Sequence, residues 1–137
     1  MHTAAVVPTS NDATTIEALL SALYACLEVT EVFVVDAASS DGTAALVADF
    51  RDSRWSRVHV VALREEASVG TALRVGFDLA DQTGVDRVLQ LGPRTANPAS
   101  VVAALNAAAV RGADVAIASA FSLLDIETMY EIGRAHV

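Results

Sequence analysis

The chain has 137 residues, enough for one domain with a real core, and is 53% hydrophobic with a net charge of −8. Its cations are all arginines, with no lysine and no basic stripe to neutralise phosphates, which excludes a general nucleic-acid binder. No apolar run approaches the ~20 residues of a membrane helix, no secretory leader is expected at the N-terminus, and the lone cysteine, Cys26, excludes an internal disulfide and fits a reducing, cytoplasmic setting.

Residues 4–7 predict a short buried strand that stops at Pro8. Thr14-x-x-Glu17 has the form of a capping box, and Ile16, Leu19, Leu20, Leu23 and Leu27 follow at helical spacing. Residues 32–35 predict the second strand. It ends on Asp36 and turns through small residues, and Asp41-Gly42-Thr43 opens a helix carrying Leu46, Val47 and Phe50. A third strand is expected over 58–63. Val69, Ala72, Leu73, Gly76, Phe77 and Ala80 form the next helical stripe, and 87–91 predict a fourth strand. Asn97-Pro98 supplies an N-cap and a proline at the first helical position. Val101, Val102, Leu105 and Ala109 line the helix that follows, which Arg111-Gly112 ends, and 115–118 predict a fifth strand.

Strands alternating with helices in this way predict an α/β fold, a Rossmann-like doubly wound parallel sheet with helices on both faces. Ligands of such sheets bind beyond the carboxyl ends of the strands. Four loops should therefore share one edge: Pro8-Thr9-Ser10-Asn11-Asp12, residues 36–42, Arg64-Glu65-Glu66 and Gly92-Pro93-Arg94. Asp36 reads as a ligand-facing or loop-ordering acid, Asp41 as an anion at a helix start, and Asp12 as a ligand contact or a loop-ordering group. Glu65 and Glu66 read as a solvated pair, Cys26 as a packed thiol, His59 as a structural histidine and Trp55 as a loop anchor. Neither a Gly-x-Gly-x-x-Gly fingerprint nor a Walker loop is present.

In order and spacing these loops resemble family 2 glycosyltransferases, especially the dolichol-phosphate mannosyltransferase-like group. The resemblance rests on Pro8-Thr9-Ser10-Asn11-Asp12 for the family's Pro-Thr-Tyr-Asn-Glu-like loop. It rests also on Val34 to Thr43, which keeps eight of the ten residues of Val-Val-Asp-Asp-Gly-Ser-Ser-Asp-Gly-Thr. Gly70, Ala72 and Gly76 match its Gly-x-Ala-x-x-x-Gly helix, Pro98 its proline after the fourth strand, and 112–119 its next strand. The resemblance implies the nucleotide-sugar-binding half of a GT-A fold over residues 1–130. Its donor would be a nucleotide-diphosphate sugar and its acceptor a lipid or polysaccharide, with Pro8, Ser10, Asp12, Asp36, Ala37 and Arg94 in the nucleotide pocket. It also implies a catalytic base and most acceptor contacts in a further half, any membrane association through that same part, and Mg or Mn as cofactor.

Several residues depart from that pattern. Ser10 stands for the tyrosine, Asp12 for a longer acid, Ala37 for a second aspartate, and Ala38 for a glycine whose backbone freedom the turn needs. The metal-binding Asp-x-Asp is replaced by Gly92-Pro93-Arg94, so the ligands for Mg or Mn are absent. Arg94 is itself a candidate phosphate contact. No catalytic residue is assigned, and two readings stand: a sugar-transferring enzyme of which this is the donor half, or a degenerate non-catalytic copy serving binding or assembly. Residues 131–137, Glu-Ile-Gly-Arg-Ala-His-Val, match the translation of a common sequencing adapter, so the natural protein is expected to continue differently past residue 130.

Overall fold

The computed structural model describes residues 2–110. Four strands, β1 (Thr3–Thr9), β2 (Glu31–Ala37), β3 (Val58–Leu63) and β4 (Arg87–Gln90), alternate with α1 (Ile16–Tyr24), α2 (Thr43–Ser53), α3 (Val69–Gln82) and α4 (Pro98–Val110). The strands form one parallel sheet in the order β3-β2-β1-β4. The chain thus steps outward from β1 through β2 to β3, then crosses back to lay β4 on the other side of β1. That reversal makes the β1/β4 boundary the topological switch point. The expected fifth strand, and the Arg111-Gly112 stop before it, lie outside the described residues, as does the 131–137 tail.

Alternation along the strands sorts the core. Ala5, Val7, Val32, Val34, Val58 and Leu89 face α1, α2 and α4, where Ile16, Leu20, Leu23, Val47, Phe50, Val102 and Leu105 complete the larger cluster. Ala4, Val6 and Phe33 face the other way, onto Ala80, Leu73 and Leu79 of α3. α3 lies very close to the sheet. A Cβ on Gly76 would come within 2.3 Å of Val6 Cγ1, so only a glycine fits at that crossing.

β1 runs two residues further than its apolar stretch suggests, through Pro8. The Val6 carbonyl accepts from Leu91 N–H, and the ladder to β4 goes no further than Val6↔Gln90. By alternation the Pro8 nitrogen points to this same side, where β4 has already ended, so its missing N–H breaks no ladder bond.

Local expectations meet three corrections. The Thr14/Glu17 capping box does not form: α1 starts at Ile16, with Thr15 before it and no side-chain cap. The Asp12 carbonyl receives the N–H groups of Thr15 and Ile16 instead, so the helix start is set by the preceding loop. Leu27 is 95% exposed, because α1 ends at Tyr24 and the following turn carries Leu27 out of helical phase. The α3 stripe is narrower than its spacing suggests. Ala72, Gly76 and Ala80 are buried, whereas Val69 and Phe77 stand at its exposed flanks.

Candidate functional site

All four strands point the same way, so the four loops emerge at one edge of the sheet. Two of them are laced together. The Asp36 carboxylate accepts from the Thr9 hydroxyl at 2.8 Å, from Ser39 N–H at 3.1 Å and from the Ser39 hydroxyl. Asn11 N–H donates to Ser39 Oγ at 2.8 Å, and Asn11 Oδ1 accepts from Ser40 N–H at 2.9 Å. Asp12 N–H donates to Thr43 Oγ1, and Ala13 N–H donates to Asp41 Oδ2 at 3.0 Å. Apart from the two Ser39–Asp36 bonds, these run between residues 9–13 and residues 36–43, and no buried side-chain polar atom is left unpartnered among the described residues.

The lacing imposes backbone conformations that small or amide side chains tolerate. Asn11 (φ 55) and Ala38 (φ 52) are left-handed, as is Gly42 (φ 87) at the start of α2. Ala38 thus occupies the glycine position of the motif with its left-handed conformation intact. An alanine there is strained by about 1–2 kcal/mol. Asp41 acts at the start of α2, accepting from Thr43 N–H at 3.1 Å and from the Thr43 hydroxyl. The Thr43 hydroxyl, and after it the Ala13 N–H, hold its carboxyl below the usual carboxylate range.

Beyond the point where β4 ends, β1 and β4 part and leave a cavity of about 310 Å³. Pro8, Thr9, Ser10 and Asp12 form one wall, Gln90, Gly92 and Pro93 another, and Ala37, Ala67, Val69 and Ala72 the floor on the α3 side. Of the residues expected at the site, Pro8, Ser10, Asp12 and Ala37 line this cavity. Asp36 does not. It shares the parity of Val32 and Val34, which face α1 and α2, and the residue is 2% exposed with its carboxylate taken up by three donors. Its role here is to order the loops, while its neighbour Ala37 turns to the α3 side and meets the cavity.

Arg94 also lies off the main cavity. It lines a second groove of about 230 Å³ with Thr14, Thr15, Ala18, Leu19, Thr95 and Pro98, and Pro93 belongs to both. Arg94 Nε donates to Asp12 Oδ1 at 3.2 Å, so the two sequence candidates are joined across 82 positions of chain. The Arg94 side chain is 75% exposed and the Asp12 side chain 6%. The second Asp12 oxygen accepts from Ser10 N–H at 2.8 Å. With so exposed an arginine the pair contributes about 1 kcal/mol or less.

Thr9, Asn11, Ser39 and Thr43 belong to the two sequence motifs, but their bonds between the loops, and the lining by Gln90, Val69 and Ala67, were not assigned from the sequence. Ser39 and Thr43 carried a signal in their closeness to Asp36 and Asp41, whereas Thr9 lies 27 positions from the carboxylate it meets. Glu65 and Glu66 are exposed and lie outside the cavity lining. His59 stacks on Phe33 with ring centroids 4.7 Å apart and contacts Glu31 at 3.0 Å, while Trp55 meets Tyr24 edge-on. Cys26 packs against the larger core.

The model of glycosyl transferase family 2 matches residues 4–84, more than half of the chain. The chain belongs to glycosyl transferase family 2. The match takes in the first three strands and α3, and ends before the Gly92-Pro93-Arg94 loop. Polyprenol monophosphomannose synthase of Mycolicibacterium smegmatis is 27% identical over 120 residues, covering 88% of this chain and 45% of that relative. A mannosyltransferase of Pyrobaculum calidifontis, solved in complex with GDP-Man and Mn2+, is 29% identical with a TM-score of 0.51 over 56% of this chain and 24% of its own. TarS of S. aureus (residues 1–349) shares the fold, with a TM-score of 0.61 at 23% identity over 81% of this chain and 33% of its own. The chain thus spans less than half the length of these relatives.

The metal that family members use does not fit the residues at this edge. Gly92 and Pro93 carry no ligand atom in their side chains, Arg94 is a cation, and the carboxylates of Asp12, Asp36 and Asp41 are engaged by donors of the protein. Among the described residues no group of three His, Cys, Asp or Glu is placed to hold an ion.

Proposed function

We propose that the protein carrying this chain transfers a sugar from a nucleotide-diphosphate sugar to an acceptor, and that this chain supplies the half that binds the donor's nucleotide. The observation that carries the reading is the cavity at the β1/β4 switch point, lined by Pro8, Ser10, Asp12 and Ala37 in a chain of glycosyl transferase family 2. Its volume of about 310 Å³ lies at the lower end for ligand sites, suited to a nucleobase and part of its ribose rather than to a whole sugar nucleotide. The sugar and acceptor would then be enclosed by parts of the protein beyond this half.

The cavity's chemistry suits that ligand. Pro8, Ala37, Val69 and Ala72 offer apolar surface to the faces of a base, while the Ser10 hydroxyl and the Gln90 amide offer polar groups to its edge. Ordering of the loops before binding lowers the entropic cost of capturing the nucleotide. Transfer leaves negative charge on the departing diphosphate, and preorganised positive groups stabilise such charge. A mannosyltransferase holding GDP-Man and a polyprenol monophosphomannose synthase among the relatives support a mannose donor and a lipid-linked acceptor.

The reading is tested on the full-length protein by calorimetric titration with GDP and UDP, followed by incubation with labelled GDP-mannose or UDP-GlcNAc and a polyprenyl phosphate. One nucleotide should bind, and its sugar should pass into the lipid phase. Failure of both nucleotides to bind would remove the proposal. Binding without transfer to lipid or polysaccharide acceptors would instead favour a non-catalytic, binding role.

A further inference from the structure

We infer that this donor site is built around the Arg94–Asp12 ion pair in place of a divalent metal, and that it binds the diphosphate of its nucleotide without one. The inference rests on the nucleotide-donor reading above and adds to it the means by which charge is met. A divalent ion at a nucleotide site is held in near-octahedral array by one or two free carboxylates together with waters and the substrate phosphates. The carboxylates of the two laced loops are committed elsewhere, and Glu65 and Glu66, exposed after β3, lie outside the cavity lining. Asp36 is buried under Thr9 and Ser39, Asp41 serves Ala13 and Thr43, and Asp12 serves Ser10 N–H and Arg94. A cation brought to Asp12 would also stand beside a guanidinium that is already there.

The same geometry gives Arg94 a positive task. Asp12 is buried and anchored in the laced loops, and Arg94 donates to it through Nε. The two terminal nitrogens have no partner among the described residues, and the side chain is 75% exposed. Arg94 follows Pro93, which lines both the 310 Å³ cavity and the 230 Å³ groove over the start of α1. A diphosphate that left the cavity past Pro93 would meet this fork. A planar guanidinium matches paired phosphate oxygens with charge-assisted hydrogen bonds. The other cation at a strand end, Arg64, follows β3, two strands from β1.

The test is calorimetric titration of the full-length protein with GDP and UDP, in Mn2+ and in EDTA, for the wild type, Arg94→Ala and Arg94→Lys. The nucleotide that binds should show a Kd changed by less than about twofold on removing metal. Arg94→Ala should weaken the diphosphate about tenfold, and Arg94→Lys less, since lysine keeps the charge without the fork. Affinity for the matching nucleoside should stay the same in all three proteins, which separates phosphate contact from loss of fold. Binding that vanishes in EDTA and returns with Mn2+ would overturn the inference, as would unchanged diphosphate affinity in Arg94→Ala. No binding in either condition would overturn the donor reading itself.

Discussion

Gly76 offers the sharpest test of how α3 is seated, and the cavity floor depends on that seating. A Cβ added there would lie 2.3 Å from Val6 Cγ1 and 3.3 Å from Val35 Cγ2, where ordinary contacts begin near 3.4 Å. Both valines are fully buried, on the two central strands, and β-branched side chains cannot swing aside. The helix must therefore lift by roughly 1 Å, and overpacking of this kind costs about 1–3 kcal/mol. Alanine's better helix propensity returns about 1 kcal/mol, leaving Gly76→Ala destabilised by up to about 2 kcal/mol. Gly70→Ala is the internal control, since its Cβ would meet nothing nearer than Ser68 Oγ at 3.8 Å. It should be neutral or stabilising by up to about 1 kcal/mol. Thermal unfolding of the two variants should place Gly76→Ala below wild type by several degrees and Gly70→Ala at or above it. Because Val69 and Ala72 line the cavity, Gly76→Ala should also weaken nucleotide binding. Equal stability of the two variants would refute the close α3–β1 contact.

Three further outcomes follow from the laced loops. Asp36→Ala strands the Thr9 hydroxyl and two Ser39 donors, and should lower stability by about 2–3 kcal/mol, with Asp36→Asn losing less; urea unfolding that left Asp36→Ala unchanged would contradict its structural role. Ala38→Gly relieves a left-handed alanine of about 1–2 kcal/mol and forfeits about 0.5–1 kcal/mol of backbone entropy, so a small rise in Tm is expected and a fall would count against the loop geometry. The carboxyl of Asp41 is held below its ordinary value of about 3.9, so its contribution is complete above that pH and is lost as pH falls through the lower, folded value. Acid unfolding of Asp41→Asn should lack that part of the decline; a pH profile identical to wild type would mean Asp41 stabilises nothing through its charge.

Much of this architecture was legible because burial and period coincide. The β3 strand and α3 stand where alternation and helical spacing place them, and the Asp36 turn leads into α2 as its small residues require. Local signals failed where a distant group took over. The capping box yielded to the Asp12 carbonyl, held in place by Thr43, which lies 31 positions further on. The parity that turns Asp36 away from the cavity and Ala37 toward it could have been counted from Val32 and Val34. Which face held the cavity could not, because that depends on strand order and on β4 ending level with Val6. The Arg94–Asp12 pair was hidden for the same reason: each residue was a candidate alone, and only the crossover that lays β4 beside β1 joins them.

The central claim, that a nucleotide occupies the wedge between β1 and β4, is tested most directly by amide hydrogen exchange on the full-length protein with and without saturating GDP or UDP. Protection should rise at Ser10, at Gly92 and along residues 67–72, with little change on β3 or α2, whose residues lie away from the cavity. Nucleotide binding that leaves Ser10, Gly92 and residues 67–72 unprotected, and protects another surface instead, would contradict it.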